Sequence, residues 1–267
     1  MNTIKELGNL NGRKALITGA TGELGKIIAD TLGELGADLI LIDKPGSDFE
    51  TLKSELIKRW GVKIESYFCD LEIPDERSNL IFHLVDNNKC LNILINNAAF
   101  VGTSDLEGWN VSFGKQTIDT WRRVLEVNLL AAFDLCQGLM PLIKKAEGGN
   151  IINIASIHGV YGPDWSLYEN TEMNNAAAYA ASKGGLIQLT RWLATTVSPD
   201  VRVNCISPGG IFRKQNTLFV ERYEARTPLK RMAVENDLKG AIAYLSSDLA
   251  KYVTGQNLLI DGGWGVW

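Results

Sequence analysis

Short apolar runs of strand type alternate with longer stretches of helical period along almost the whole chain, and this alternation restricts the fold more than any other feature. The runs are Ala15–Thr18, Leu39–Asp43, Ile64–Cys69, Ile93–Asn96, Ile151–Ser156, Val201–Ile206 and Leu258–Asp261. Between the first two, Leu24, Ile27, Ile28, Leu32 and Leu35 recur at the spacing of one helix face, and Gly36 supplies a residue suited to a left-handed helix end. The pattern returns at Leu52, Leu56, Ile57 and Trp60, closed by Gly61. Parallel strands need a crossover of helical length, and a parallel sheet needs helices over both faces. The expectation is an α/β protein: a Rossmann-like doubly wound fold with a seven-stranded parallel sheet flanked by helices on both faces.

A chain of 267 residues, 45% of them hydrophobic, can bury one sizeable core, so residues 1–267 read as a single domain. The net charge of −4 creates no field that would gather nucleic acid or an anionic membrane, and neither is an expected partner. Met1 to Arg13 mixes Lys5, Glu6, Asn9 and Asn11 with isolated leucines and lacks an export or membrane-insertion pattern, so a cytoplasmic location is expected. Cys69, Cys90, Cys136 and Cys205 have no Cys-x-x-Cys spacing, and three of them fall in apolar segments as buried, reduced thiols would. The only histidines are His83 and His158, with no cluster of acids near either, so no catalytic metal is expected.

The first run opens into Thr18-Gly19-Ala20-Thr21-Gly22-Glu23-Leu24-Gly25, a glycine-rich turn followed at once by an amphipathic helix. Glycine lets the backbone turn tightly and approach a pyrophosphate, which the amides and dipole of the helix N-terminus favour. Glycines between strand and helix often serve the backbone alone, but here an acid, Asp43, closes the second run. Its carboxylate is placed to accept from ribose hydroxyls and to repel a 2′-phosphate, which favours NAD over NADP. Lys44 partly offsets that repulsion, and the alternative is that Asp43 only caps a turn.

Tyr179 and Lys183 stand four residues apart ahead of the helical series Leu186, Leu189 and Leu193, so a helix carries both on one face. A free phenol, with a pKa of about 10, is a poor base near neutrality unless a cation favours its ionised form. Lys183 is placed to be that cation. Ser156 ends the fifth run, at the carboxyl edge where ligands collect in open α/β sheets.

These residues resemble those of the short-chain dehydrogenase/reductase family, in its compact single-domain branch, from Thr18 to Gly263. The resemblance implies a catalytic tetrad of Asn128, Ser156, Tyr179 and Lys183. In it Tyr179 is the general acid/base, Lys183 lowers its pKa and holds the nicotinamide ribose, Ser156 orients the substrate oxygen, and Asn128 supports a proton-relay water. Cofactor contacts are implied for Gly19, Thr21, Gly22, Glu23, Leu24 and Gly25 in the turn, and for Asp43, Asp70 and Leu71 around the adenosine. They are implied also for Asn97 and Ala98 in Asn96-Asn97-Ala98, for Tyr179 and Lys183, and for Pro208, Gly209 and Ile211 beside the carboxamide. Self-association as a homodimer or homotetramer is expected, through the helices holding Asn128 and Tyr179 and through the C-terminal segment, with Trp264 and Trp267 buried there or bordering a neighbour's pocket.

The chain departs from the family pattern in places. Its Gly19-x-x-Gly22-x-x-Gly25 spacing is similar to that of the extended branch of epimerases, and Arg213 stands where a threonine commonly follows the Pro-Gly element. The largest departure separates Ser156 from Tyr179 by 23 positions, roughly ten more than the family usually has, which reads as a functional loop over 158–175. That loop carries Trp165, Tyr168, Glu169, Asn170, Glu172, Asn174 and Asn175, a mix suited to a polyhydroxylated ligand. His158, Trp165 and Arg213 are the candidate substrate contacts, although the loop could equally pack against a neighbouring subunit or cover the cleft. Loop and tail together are similar to flagellin-modification members of the family, which makes a sugar or sugar phosphate the first substrate expected. The alternatives are a 3-oxoacyl thioester reductase, which would prefer NADPH, and a non-catalytic dinucleotide sensor.

Overall fold

The computed structural model describes residues 1–102 and 104–267. Seven strands form: β1 Lys14–Thr18, β2 Asp38–Asp43, β3 Ile64–Phe68, β4 Ile93–Asn96, β5 Gly149–Ile154, β6 Val201–Pro208 and β7 Asn257–Ile260. They pair in the order β3-β2-β1-β4-β5-β6-β7, and every pairing is parallel. The helices are α1 Ile4–Leu7, α2 Glu23–Glu34, α3 Phe49–Trp60, α4 Pro74–Asn87, α5 Ile118–Leu125, α6 Ala131–Lys145, α7 Ala177–Thr196, α8 Thr217–Arg226 and α9 Lys239–Ser246. This is the doubly wound Rossmann-like fold expected.

Successive strand residues point to opposite faces, and both faces are covered, which is why the central strands are apolar without interruption. On one face Leu16, Ile40, Leu94, Ile151 and Val203 pack with Leu80 and Leu84 of α4, Leu135 and Leu139 of α6, and Leu193 of α7. On the other, Ile17, Leu41, Ile95 and Ile152 meet Ile28 and Leu32 of α2, Leu52 and Leu56 of α3, and Ile242 and Leu245 of α9. Asp48 caps α3 by accepting from Thr51 N, and Gly61 ends it at φ +69°. Cys69, Cys136 and Cys205 are buried free thiols, whereas Cys90 is partly exposed.

The sheet order reverses at β1, which lies between β2 and β4. The chain therefore leaves β1 and β4 toward opposite sides, and a crevice opens at their carboxyl ends. From α5 to α6 the chain is continuously helical, interrupted by a π turn at Glu126–Leu130 that holds Asn128. The run Ile118–Lys145 is long and apolar enough to cross a membrane by composition, but Leu135, Leu139, Leu142 and Ile143 within it belong to the core against the sheet.

Candidate active site

The crevice is a cleft of about 1150 Å³, and all the residues that the family resemblance nominated for the cofactor line it, from Gly19 and Asp43 to Pro208, Gly209 and Ile211. Its floor is tied together by side chains at the ends of β1 and β4. Thr18 Oγ1 accepts from Asn97 N at 3.0 Å and Ala98 N at 3.1 Å, while Asn97 Nδ2 donates to Thr18 O and Gly19 O at 2.9 and 3.0 Å. That packing leaves no room at two glycines. Gly19 has φ +63°, and a Cβ there would lie 2.9 Å from Ala98 Cα; a Cβ on Gly25 would overlap Gly19 O and sit 2.8 Å from Ala20 Cα. Gly22 caps α2 without a side chain, so the first-turn amides keep no side-chain cap and remain donors for an anion. These residues fit the pyrophosphate of a dinucleotide. Gly25→Ala is expected to destabilise the protein by about 3 kcal/mol, as overpacking does, and to weaken nucleotide binding. Urea unfolding and fluorescence titration with NADH check both.

Asp43 lies at the next turn outward. Its Oδ2 accepts from Thr21 N at 2.8 Å and Thr21 Oγ1 at 2.7 Å, and its Oδ1 accepts from Lys44 N at 2.9 Å. The carboxylate thus both shapes the glycine turn and lines the cleft, so turn-capping and ligand-facing positions coincide. Asp70 and Leu71 follow β3 into the same cleft, with Asp70 Oδ1 accepting from Glu72 N at 2.9 Å.

Farther along, the first two turns of α7 present Tyr179 and Lys183 side by side, with Lys183 Nζ 5.7 Å from the Tyr179 ring centre. Lys183 is buried and donates to Ile154 O at 2.7 Å. The chain leaves β5 earlier than its apolar run suggests, and Ser156 caps the turn Ile157–Gly159, its Oγ accepting from His158 N at 3.2 Å. The same hydroxyl works against the rise of the Tyr179 pKa, and both side chains line the cleft. Trp109 and His158 flank the phenol ring, each at 6.4 Å between centroids. Asn128 does not line the cleft; its Oδ1 accepts from Phe100 N at 2.8 Å, and its Nδ2 donates to Ser182 Oγ at 3.1 Å and to Phe100 O at 3.3 Å. It ties the π turn to the strand-four loop and to α7.

Burial dominates the electrostatics. It pushes the Tyr179 phenol up, against the opposing pull of the Ser156 hydrogen bond and the Arg213 charge, and it pushes Lys183 down to about 8. The Arg213 charge works against the rise of the phenol, and burial works against the ammonium form of Lys183. His158 is pulled below the ordinary histidine value by burial, which keeps the imidazole neutral.

The 158–175 loop divides in two. Its far half brings Tyr168, Met173, Asn174 and Asn175 to the cleft, along with His158; Asn175 Nδ2 lies 3.3 Å from His158 Nε2 and donates to Tyr168 Oη at 3.3 Å. Trp165 corrects the expectation: it does not line the cleft, is 54% exposed, and rests on Tyr168 at 5.6 Å. The turn Trp165–Leu167, capped by Asp164, carries Trp165 on the outer side of the loop. The loop is anchored within its own chain. Asp164 pairs with Arg226 of α8, whose guanidinium stacks 4.3 Å over Trp264. An aromatic series runs from Tyr168 through Phe219 and Tyr223 to Trp264 and Tyr161. Tyr223 Oη accepts from Gly210 N at 2.6 Å, which joins this packing to the Pro-Gly element. Trp264 is accordingly buried inside the chain and cannot border a neighbour's pocket, whereas Trp267 is 69% exposed.

Trp109 was not singled out from the sequence. Its indole donates to Val101 O at 2.9 Å and forms a small core with Val124, Ala176 and Ala178 beneath Tyr179. The irregular stretch from Phe100 to Lys115 was the only signal. Gln116 then binds that stretch to the 158–175 loop, donating to Val111 O and Asn175 O and accepting from Ala177 N at the start of α7.

A parallel sheet with its cleft at the switch point, a glycine cradle, and a Tyr-Lys-Ser group at the opposite end define an NAD(P)-dependent dehydrogenase/reductase. A family model described as enoyl-(acyl carrier protein) reductase matches residues 19–265. The chain belongs to the short-chain dehydrogenase/reductase family. It is 29% identical over 259 residues to post-translational flagellin modification protein A of Campylobacter coli, covering 96% of this chain and all of that one. Among solved structures, a short-chain dehydrogenase from Leptospira borgpetersenii with bound NAD+ is 34% identical, with a TM-score of 0.82 over 99% of this chain and 96% of that one. A Beutenbergia cavernae protein, provisionally described as an NAD(P)-dependent gluconate 5-dehydrogenase and holding NADP at low occupancy, is 29% identical. Its TM-score is 0.86 over 98% of this chain and 100% of that chain.

Proposed function

We propose that this protein is an NAD(H)-dependent dehydrogenase acting on a carbinol or ketone carbon of a sugar or sugar derivative, with residues 1–267 forming one catalytic domain. One observation carries the reading: Tyr179, half-buried, shares with Ser156 and Lys183 the wall where the dinucleotide cleft meets a pocket lined by hydrogen-bonding side chains. When bound, the nicotinamide accepts or supplies the hydride. Tyr179 takes the carbinol proton in oxidation and returns it in reduction, Ser156 holds the substrate oxygen, and Lys183 holds the nicotinamide ribose. Asn128 keeps the π turn in place and supports the water through which the proton leaves.

Asp43 supports NAD over NADP, because a 2′-phosphate would meet a carboxylate already held by Thr21 and Lys44. Asn110, His158, Asn174 and Asn175 offer donors and acceptors to several hydroxyls at once. The flagellin-modification relative and the gluconate dehydrogenase are in line with such a ligand. Self-association is part of the proposal: Leu130 and Phe133 beside the π turn and Trp192 on α7 are 49%, 37% and 53% exposed, a surface suited to a second copy in a cytoplasmic homodimer or homotetramer. The family description keeps one competitor, a 3-oxoacyl thioester reductase. The purified enzyme is expected to form NADH from members of a panel of sugars, sugar acids and sugar phosphates. Faster oxidation of NADPH with a 3-oxoacyl thioester than any turnover in that panel would overturn the reading.

A further inference from the structure

The charged groups along the cleft are unevenly divided. Near the nucleotide turn stand Glu23, Asp43 and Asp70, with Lys44 and with Arg123, which is paired to Glu72 at 2.6 Å. At the opposite end, just past the Pro208–Ile211 element, the cleft is lined by two adjacent cations, Arg213 and Lys214. Among the described residues, the one cleft-lining carboxylate outside the nucleotide end is Asp105, on the strand-four loop.

Arg213 is fixed but not used up. Its Nε donates to Glu235 Oε1 at 3.1 Å, and its backbone N donates to Gln215 Oε1 at 2.7 Å. Among the described residues, its two terminal nitrogens have no hydrogen-bond partner, and Lys214 has no ion pair. Adjacent residues of an extended chain point to opposite sides. Lys214, however, adopts the left-handed conformation at φ +60°, and with the chain reversed there both cations reach the cleft. A non-glycine residue held in that region is strained backbone of the kind that gathers at ligand sites. Glu235 offsets one positive charge, which leaves a surplus of one. Arg213 and Tyr179 line the same cleft, so a group bound by this guanidinium shares that cleft with the reacting carbon.

Resting on the sugar reading above, we infer that the substrate is an anionic polyhydroxylated compound whose carboxylate or phosphate is bound by Arg213 and Lys214. A guanidinium with both terminal nitrogens free matches either group in a two-bond fork. Asn174, Asn175 and neutral His158 then face the hydroxyls between that charge and Tyr179.

The test compares kcat and KM for matched ligands: a neutral sugar or polyol, its carboxylate form and its phosphate ester. The wild type, Arg213→Gln, Arg213→Lys and Lys214→Gln are each assayed with NAD+. The wild type is expected to favour an anion over its neutral partner by about 100-fold in kcat/KM, and whichever of carboxylate and phosphate is turned over names the group. Arg213→Gln is expected to raise KM for the anion by about 30-fold while shifting the neutral ligand less than threefold, with Arg213→Lys intermediate. Lys214→Gln, at an exposed turn, is expected to raise the anion's KM about fivefold. Equal KM increases for charged and neutral ligands in Arg213→Gln would mark a structural role and overturn the inference. Turnover of neutral polyols with no preference for an anion would sink the inference alone; failure of every polyol, neutral or charged, would sink both it and the sugar reading.

Discussion

Replacing Tyr179 with phenylalanine is expected to lower kcat/KM by about 1000-fold in both directions while leaving NADH affinity within about threefold of wild type. The phenyl ring still fills the space between Trp109 and His158, so the variant loses the hydroxyl and little packing. What disappears is the proton carrier. An unchanged rate would remove Tyr179 from the chemistry. The wild-type pH profile tests the same group. Oxidation needs the phenolate, and burial raises the phenol's pKa, so kcat/KM for oxidation should climb through the alkaline range while that for reduction falls. Ser156 opposes the upward shift; in Ser156→Ala any remaining oxidation should therefore rise at still higher pH. Rate profiles measured in both directions across the alkaline range check the sign, and a shift toward lower pH would contradict it.

The parts of this architecture written in local spacing were legible before any coordinates. Strand and helix periods, Gly36 and Gly61 at helix ends, and the four-residue separation of Tyr179 from Lys183 depend only on neighbours along the chain. The glycine turn is of this kind in part: Gly25 needs bare backbone against its neighbours Gly19 and Ala20, whereas Gly19 needs it against Ala98, far along the chain. What failed to show depends on contacts distant in sequence. Trp165 and Trp109 are both aromatic residues in irregular polar stretches, and nothing nearby says which turns inward. The choice is made by Val124, Ala176 and Ala178, which close over Trp109, and by Tyr168, which supports Trp165 from below. Strand ends were similarly hidden: the apolar run toward Ser156 continues past Ile154, where the chain turns away to cap Ile157–Gly159. The downward pull on Lys183 was beyond reach for another reason, since its position is local but its burial against Ile154 is a property of the assembled sheet.

Removing the Asp43 carboxylate is expected to change cofactor preference by about 100-fold. The wild type should bind NADH about 100-fold more tightly than NADPH, and Asp43→Ala should bring the two within about fivefold. The magnitude follows from charge: unit charges about 4 Å apart repel by about 1 kcal/mol in water and about 4 kcal/mol near a protein surface, and the adjacent Lys44 reduces the upper figure. Alanine also strips Thr21 N and Oγ1 of their shared acceptor at 2.8 and 2.7 Å, so the glycine turn loosens and NADH itself should bind about tenfold more weakly. Asp43→Asn separates the two effects, because its amide oxygen can still accept from Thr21 while the charge is gone. In that variant NADPH should gain affinity with a smaller loss for NADH. Fluorescence titrations of both nucleotides against the three proteins decide the matter without a substrate. Tighter binding of NADPH by the wild type, or an unaltered ratio in Asp43→Ala, would place the selectivity elsewhere in the cleft and leave Asp43 as a brace for the turn.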